Sequence, residues 1–211
     1  STIKRMQKLK LMTNICYLDT LFYKSNKVNA FYIPLTLRDY FKENQTLKKI
    51  NTEKQTINII GALGSMFATG SRLGFNYLIN EIFPIIDDQI KRYNLVINFY
   101  GRGYSKKDIN IISSNSSCKF YGFVEDIDKE VNKNSIALFF NNVSNYTGTY
   151  TRVPYLMSSG ICIIAHRNLE KSVPELVHGE NILLGETPAE ISALIIQTLS
   201  NPSLVERIGR N

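Results

Sequence analysis

The sequence is poor in the residues that bind metals or form disulfides. Its 211 residues include only three cysteines, Cys16, Cys118 and Cys162, and two histidines, His166 and His178. An odd and sparse set of cysteines excludes a disulfide framework and a four-cysteine zinc site. The two histidines do not form the His-x-x-x-His pair of a zinc hydrolase. We therefore expect no metal and no bound cofactor, and we expect Cys118 and Cys162 to be core thiols.

The sequence also lacks a long apolar segment. No run approaches the roughly 20 residues that a membrane-spanning helix requires. The first ten residues, STIKRMQKLK, carry positive charges without the apolar stretch of a secretory signal. Hydrophobic residues make up 44% of the chain and charged residues 20%, which favours a packed core. We therefore predict a globular cytoplasmic chain.

The positive charge is confined to one part of the chain. Residues 1–56 contain 11 Lys and Arg against 4 Asp and Glu, whereas residues 57–211 contain 14 of each sign. A basic groove across the main domain is not expected, so nucleic acid is not a predicted partner. The basic segment is either a solvated lysine-rich face or an amphipathic contact with anionic lipid. The second interpretation would put the chain at the inner membrane surface, because Ile3, Met6 and Leu9 recur every three residues among lysines.

From residue 57 onward the chain alternates between predicted strands and helices. Apolar runs predict strands at 57–60, 95–99, 119–124, 136–140, 161–165 and 181–184. Helical patterns lie at 73–86, 125–133, 149–159 and 189–199, and another begins at 202, with Pro84 expected to kink or interrupt the first. Apolar strands that alternate with helices favour a doubly wound, mostly parallel α/β sheet of the Rossmann-like type. Ligands of such folds bind at the carboxyl ends of the strands.

One segment at that edge has the features of a phosphate site. Gly148 would let the backbone approach a ligand, and Thr149 is a suitable N-cap for the helix that follows. Free N–H groups at a helix start attract phosphate oxygens, and Arg152 could add a bidentate charged hydrogen bond. The alternative is an ordinary capped helix with a surface arginine.

The glycines that follow two other strands do not complete a dinucleotide fingerprint. Neither the turn that begins at Gly61 nor the turn around Arg102 continues as Gly-x-Gly-x-x-Gly, so a nicotinamide dinucleotide is not expected. Arg72, at the start of the first long helix, could face a ligand phosphate from the opposite side. His166 could serve as a general acid, although no carboxylate or nucleophile is tied to it by a pattern.

Several motifs, in order, resemble family 4 glycosyltransferases of the GT-B fold. The matching segments are EIFP at 81–84, GFVED at 122–126, GTYTRV at 148–153, MSSG at 157–160 and PELVHGENILL at 174–184. The segment that begins at Tyr32 resembles the hinge strand that enters the domain. The resemblance covers about residues 28–211 and implies the C-terminal, nucleotide-sugar-binding half of a two-domain enzyme. Residues 1–56 would then be the remnant of the preceding domain plus a hinge or linker, and residues 57–211 the binding domain.

The resemblance also implies roles for single residues. Arg152, in place of the family's lysine, would be the catalytic residue and would hold the donor diphosphate together with the backbone at Gly148 and Thr149. Val124 would lie beside the nucleobase. The family's two glutamates, the second of which holds the donor ribose, fall on Thr147 and Tyr155. The remaining residues of the predicted donor site are Gly61, Arg72, Arg102 and Tyr150.

The implied activity is retaining transfer of a sugar from a nucleoside diphosphate to a hydroxyl acceptor that the sequence does not identify. Because the acceptor wall of the cleft would lie in the other domain, we expect the chain alone to show little transfer. Two alternatives remain open. One is a non-catalytic sugar-nucleotide-binding or docking module, which Thr147 and Tyr155 favour, and the other is a sugar-nucleotide epimerase of the same fold.

Overall fold

The structure is a computed structural model that describes residues 2–37, 57–141, 143 and 150–211. The predicted linker at 42–55 lies outside the described residues. So do Thr147, Gly148 and Thr149, and their roles therefore stay predictions.

The main domain is built on six parallel strands. They are β3 (Ile57–Leu63), β4 (Leu95–Tyr100), β5 (Cys118–Gly122), β6 (Ile136–Phe139), β7 (Cys162–His166) and β8 (Leu183–Gly185). Their order across the sheet is β5-β4-β3-β6-β7-β8, and each neighbouring pair is parallel. This order confirms the predicted doubly wound, Rossmann-like sheet, in which the chain works outward from β3 in one direction and from β6 in the other.

Helices cover both faces of this sheet. They are α3 (Thr69–Tyr77), α4 (Phe83–Arg92), α5 (Lys106–Ser114), α6 (Ile127–Val131), α7 (Arg152–Ser158), α8 (Pro188–Ser200) and α9 (Pro202–Arg210), with a 3-10 turn at Arg167–Lys171. A π-helical turn, Leu78–Ile82, separates α3 from α4. The predicted interruption at Pro84 is therefore confirmed: proline has no N–H to donate to the carbonyl of Asn80, so the regular bonding pattern is lost there.

Two helices differ from the prediction. The sequence pattern does not predict α5, which begins with a capping box in which the Ser105 and Asp108 side chains each accept from the other's backbone N–H. Helix α7 begins at Arg152, with Thr151 in the N-cap position, so the predicted start at residue 149 is wrong. The reason is Pro154, whose ring would collide with the carbonyl of Tyr150 if that residue were helical.

The core consists of two clusters, one on each face of the sheet. Consecutive residues of a strand point to opposite faces and so belong to different clusters, as Ile59 and Ile60 of β3 do. Strands buried on both faces are expected in a parallel sheet, which explains their continuous apolar runs. Cys118 and Cys162 are buried free thiols, which confirms their predicted place in the core.

The segment before residue 38 contains a separate pair of short parallel strands. Helices α1 (Thr2–Met6) and α2 (Tyr17–Ser25) accompany β1 (Met12–Asn14) and β2 (Ala30–Tyr32). The backbone N–H of Tyr17 donates to the carbonyl of Ser172 over 3.1 Å, and the Tyr32 hydroxyl donates to Glu175 over 2.8 Å. Among the described residues, no helix is long and apolar enough to cross a membrane. The division of the chain at residue 56 and the lipid contact of the first segment stay predictions.

Candidate functional site

The sheet order locates the candidate site. The winding direction changes between β3 and β6, which lie side by side with Ile59 opposite Ile136. In doubly wound sheets a crevice opens at this switch point, beyond the carboxyl ends of the strands. Here β3 ends at Leu63, Asn141 follows β6, and the first residue of α7, Arg152, returns to the same place.

Arg152 is anchored between the two halves of the sheet. One guanidinium nitrogen, Nη1, donates to the carbonyl of Leu63, and the other, Nη2, donates to the Ser71 hydroxyl over 3.1 Å. The side chain is half-buried, and desolvation lowers its pKa from the ordinary value. An arginine remains charged even so, because its unperturbed pKa lies far above neutrality.

The charge of Arg152 is not matched by an acidic partner. Within residues 2–37, 57–141 and 150–211, no carboxylate lies within ion-pair distance of the guanidinium. Among the described residues its hydrogen-bond acceptors are one carbonyl and one hydroxyl. A partly buried cation without an anionic partner pays a desolvation cost that an anion would offset. The crevice is therefore electrostatically suited to an anionic ligand.

Ser71 connects the groups that line the crevice, and the sequence analysis missed it. It lies in the first turn of α3, is 2% exposed, and its hydroxyl accepts from Arg152 and, over 3.2 Å, from the Asn141 side chain. The only sequence signals are a serine in the first turn of a helix after a strand and an asparagine after a buried strand. Both patterns are common, so neither could have indicated this contact.

Close backbone packing shapes the floor of the crevice. Gly64 has φ +120°, and a Cβ at this position would lie 2.4 Å from Nη1 of Arg152. Gly101 also has a positive φ, and a Cβ there would lie 1.7 Å from the carbonyl oxygen of Gly64. The turns after β3 and β4 therefore need glycine in order to touch each other and to leave room for Arg152.

Gly61 belongs to the sheet rather than to the turn. It lies within β3, and a Cβ there would be 2.5 Å from a methyl group of Ile97 in the neighbouring strand. Packing of β3 against β4 thus accounts for this glycine, although it also lines the inner end of the crevice. Its predicted contact with the donor stays a prediction.

Arg72 points toward the loop after β4. Its guanidinium donates to Asp108 over 2.6 Å and to the carbonyl of Gly103 over 2.9 Å. Burial by itself would raise the pKa of Asp108, but hydrogen bonds from Arg72 and Ser105 outweigh it and lower the pKa. The geometry gives Arg72 a structural role in joining α3 to α5, and a role toward a ligand phosphate is not supported by its present contacts.

Arg102 and Val124 lie on loops that follow β4 and β5. The Arg102 guanidinium stacks over the ring of Phe123, 3.8 Å from its centroid, and both side chains are exposed. Val124 is half-buried against the core cluster beneath α6 and α7. The predicted contact of Val124 with a nucleobase stays a prediction.

The two predicted tyrosines differ in their surroundings. Tyr150 is buried, with its ring edge-on to Phe139 at 5.7 Å between centroids, so its side chain belongs to the core. Tyr155 is half-buried, and its hydroxyl donates to Oδ1 of Asp128 over 2.5 Å. Tyr155 thus has a carboxylate partner on α6, Asp128, which no pattern in the sequence connects to it.

His166 has the contacts of a structural residue. It is buried at the end of β7, its Nδ1 accepts from the backbone N–H of Asn168 over 3.1 Å, and it also forms a hydrogen bond with the backbone of Glu186. Burial lowers the pKa of this histidine, and the bond to Glu186 only partly offsets that effect. A histidine that is neutral and already hydrogen-bonded is poorly suited to donate a proton as a general acid.

A second recess lies on the other side of α7. It is a groove of about 230 Å³ between the first segment and the main domain. Arg152 and Leu156 line the crevice at the switch point. The neighbouring side of α7 lines this groove together with residues of both parts, including Ile15, Tyr32, Leu35, Pro154, Met157 and Glu175. Helix α7 therefore separates the crevice that contains Arg152 from a mainly apolar groove.

Comparisons with known proteins agree on one group. The model of the family described as "Glycosyl transferases group 1" matches residues 57–201. A comparison with curated proteins finds no match.

Several solved structures share the fold. S. aureus TarM, as a mutant in complex with fondaparinux, alpha-GlcNAc-glycerol and UDP, superposes with a TM-score of 0.73 at 18% identity, over 98% of this chain and 40% of that chain. Anabaena HepE in complex with UDP and glucose gives 0.64 at 15% identity, over 100% and 59% of the two chains. A glycosyltransferase from Rickettsia africae gives 0.68 at 12% identity, over 98% and 59%. The chain thus spans between two fifths and three fifths of the length of these structures.

Proposed function

The chain belongs to the group 1 glycosyl transferases, and from this membership we propose that it binds a nucleoside-diphosphate sugar at the switch point and forms the donor half of a sugar-transfer enzyme. The resemblance to GT-B glycosyltransferases that the motifs indicate is confirmed by the family match and by the shared fold. The ligand, the reaction and the roles of single residues make up the proposal.

One observation carries the proposal: Arg152 is half-buried at the switch point without a carboxylate partner among the described residues. A diphosphate supplies the missing negative charge and accepts bidentate hydrogen bonds of the kind that arginine donates. The absence of a side chain at Gly64 leaves room for the guanidinium against the backbone of this turn.

The same contact would assist the chemistry. In sugar transfer the bond between the anomeric carbon and the diphosphate oxygen breaks, and the acceptor oxygen forms a new bond to that carbon as it loses its proton. Negative charge builds up on the departing diphosphate, so a cation held in place beforehand stabilises the transition state more than the ground state. Arg152 is the group that would do this here, and retention at the anomeric carbon is part of the proposal because of the family resemblance.

We also propose that the donor and the acceptor bind to different domains of the whole protein. Residues 57–211 would bind the donor, and residues 2–37 would belong to the domain that faces it. The structural neighbours are longer than this chain, and TarM has a solved complex with two sugar compounds, fondaparinux and alpha-GlcNAc-glycerol, besides UDP. We infer that the hydroxyl acceptor binds mainly to the other domain, so the chain alone transfers little sugar. That no metal or cofactor takes part remains a prediction.

Calorimetric titration of the 211-residue chain tests the proposed ligand. UDP, GDP and ADP should be compared with the matching monophosphates, and at least one diphosphate should bind more tightly than its monophosphate. Absence of binding by every nucleoside diphosphate, or equal affinity for monophosphate and diphosphate, would overturn the proposal.

A binding module without catalytic activity is the second candidate. It is favoured by Tyr155, a tyrosine where the family resemblance places a glutamate. Full-length protein separates the two: the enzyme consumes its nucleotide sugar in the presence of acceptor, whereas a module binds the nucleotide and leaves it intact.

A further inference from the structure

We propose that Asp128, held in position by Tyr155, binds the ribose hydroxyls of the nucleotide. This inference rests on the proposed function and assigns one part of the donor to one carboxylate. Tyr155 is then a positioning residue, and Asp128 is the residue that contacts the ligand.

The first observation is the hydrogen bond itself. The Tyr155 hydroxyl donates to Oδ1 of Asp128 over 2.5 Å, the short distance typical of a hydroxyl bonded to a charged carboxylate. The bond occupies one oxygen of the carboxylate. Asp128 is exposed to solvent, so a ligand can reach the second oxygen.

The second observation is that the pair is rigidly supported. Helix α6 is anchored by Val131, which is fully buried, and its first turn is capped by Asp126, whose Oδ1 accepts from the backbone N–H of Lys129 over 3.0 Å. Tyr155 packs against the same core cluster as Val124 and Ile127. A binding group on two supported helices can hold a ligand with little loss of side-chain entropy.

The third observation is the place of the pair relative to Arg152. Arg152 and Tyr155 are three residues apart on α7, so their Cβ atoms are about 5–6 Å apart on one side of the helix. Val124 and Ile127 pack against the same core cluster as Tyr155. A nucleotide with its diphosphate on Arg152 and its base toward Val124 would carry its ribose past Asp128.

The chemistry of the pair favours hydroxyl groups. Because the tyrosine proton is used in the bond to Asp128, the pair offers hydrogen-bond acceptors to a ligand. Neighbouring ribose hydroxyls are donors, and a carboxylate is the group that binds ribose hydroxyls in other doubly wound folds. The diphosphate bridge of a nucleotide sugar carries no proton at neutral pH and offers the pair no donor, so the pair should distinguish the ribose from the diphosphate.

A purely structural role predicts something different. If the bond served only to join α6 to α7, its removal would lower the free energy of unfolding and would reduce the affinity for every ligand of the crevice to the same degree. The test must therefore compare ligands that differ only in the ribose hydroxyls.

The experiment is a calorimetric titration of wild type and three variants: Asp128→Asn, Tyr155→Phe and the matched control Glu125→Gln. Each protein is titrated separately with UDP, with 2′,3′-dideoxy-UDP and with pyrophosphate. Glu125→Gln removes the same charge from an exposed neighbour. Asp128→Asn should lower the affinity for UDP about 10-fold to 100-fold, and Tyr155→Phe should lower it about threefold to tenfold, as expected for hydrogen bonds to a charged group. The dideoxy nucleotide and pyrophosphate should bind both variants about as well as they bind the wild type, and the control should behave as wild type.

The outcomes separate this inference from the proposed function. If wild type binds no nucleoside diphosphate, both are overturned. If wild type binds UDP and Asp128→Asn binds it equally well, the assignment of Asp128 is overturned and the proposed function stands. The same conclusion holds if Asp128→Asn loses affinity for UDP and for dideoxy-UDP to the same degree. Thermal melting of each variant shows whether it is folded, and Tyr155→Phe, which keeps the carboxylate, provides the test if Asp128→Asn does not fold.

Discussion

The guanidinium of Arg152 donates to the hydroxyl of Ser71 across the switch point, over 3.1 Å. This bond joins the helix that follows β6 to the helix that follows β3, two segments 81 residues apart in the chain. The orientation of the arginine therefore depends on a serine that is itself nearly inaccessible to solvent.

Replacing Ser71 by alanine should destabilise the protein and loosen the site. Ser71→Ala leaves Arg152 and Asn141 with one hydrogen-bond partner fewer in a half-buried place, so the free energy of unfolding should fall by about 1–3 kcal/mol. Urea denaturation measures this loss. Ser114→Ala, which removes an exposed serine hydroxyl, is the control and should change stability by less than about 0.5 kcal/mol. An equally small effect of Ser71→Ala would contradict the account of the crevice.

Gly64→Ala should impair the site in two ways. The residue has φ +120°, and the added Cβ would collide with Nη1 of Arg152, so the substitution combines backbone strain with displacement of the arginine. Gly179→Ala is the matched control: its φ is +79°, but a Cβ there meets no atom within 4 Å. Both variants should lose roughly 1–3 kcal/mol of stability from strain. Only Gly64→Ala should weaken nucleotide binding, and equal binding by the two variants would argue against the role of Arg152.

The ion pair of Arg72 and Asp108 should make stability depend on pH. The net effect of the surroundings lowers the pKa of Asp108, so the unfolded chain takes up a proton more readily than the folded chain. The contribution is present above the unfolded carboxyl pKa of about 4 and is lost as the pH falls through the lower folded value. The stability difference between wild type and Asp108→Asn should therefore be constant near neutrality and shrink in acid. Urea titrations at a series of pH values measure it, and a difference that grows toward low pH would contradict the assignment.

The sheet could be predicted from the sequence because its strands are buried on both faces. Runs such as 136–140 and 161–165 are continuously apolar, and their alternation with helices leaves few other architectures. Helix α5 has no apolar run of this kind, because its sequence, KKDINIISS, contains three isoleucines and is otherwise polar. The sequence signal for this helix is the capping box of Ser105 and Asp108, and it marks a start without an apolar face to follow it. The start of α7 was placed too early because the steric effect of Pro154 on Tyr150 outweighs the capping preference of Thr149.

The candidate site was predictable only in part. Arg152 stands in a motif, and its position after a buried strand places it at the ligand-binding edge of the sheet. Its anchors Leu63 and Ser71 are more than 80 residues away in sequence, so no local pattern could connect them. The same holds for Asp128 and Tyr155, which are 27 residues apart on two different helices. Arg72 shows the same limit, because its ion pair with Asp108, 36 residues away, has no local sequence signal, and its predicted contact with the donor stays a prediction.

The most direct test of the account is the affinity of Arg152 variants for a nucleoside diphosphate that the wild-type chain binds. Arg152→Ala should bind it about 10-fold to 100-fold more weakly, and Arg152→Lys, which keeps the charge without the bidentate geometry, should lie between alanine and wild type. Arg92→Ala is the matched control, because Arg92 lies in the last turn of α4 and stacks on Tyr93, and it should bind as wild type does. Folded Arg152→Ala protein that binds the diphosphate with wild-type affinity would contradict the central claim.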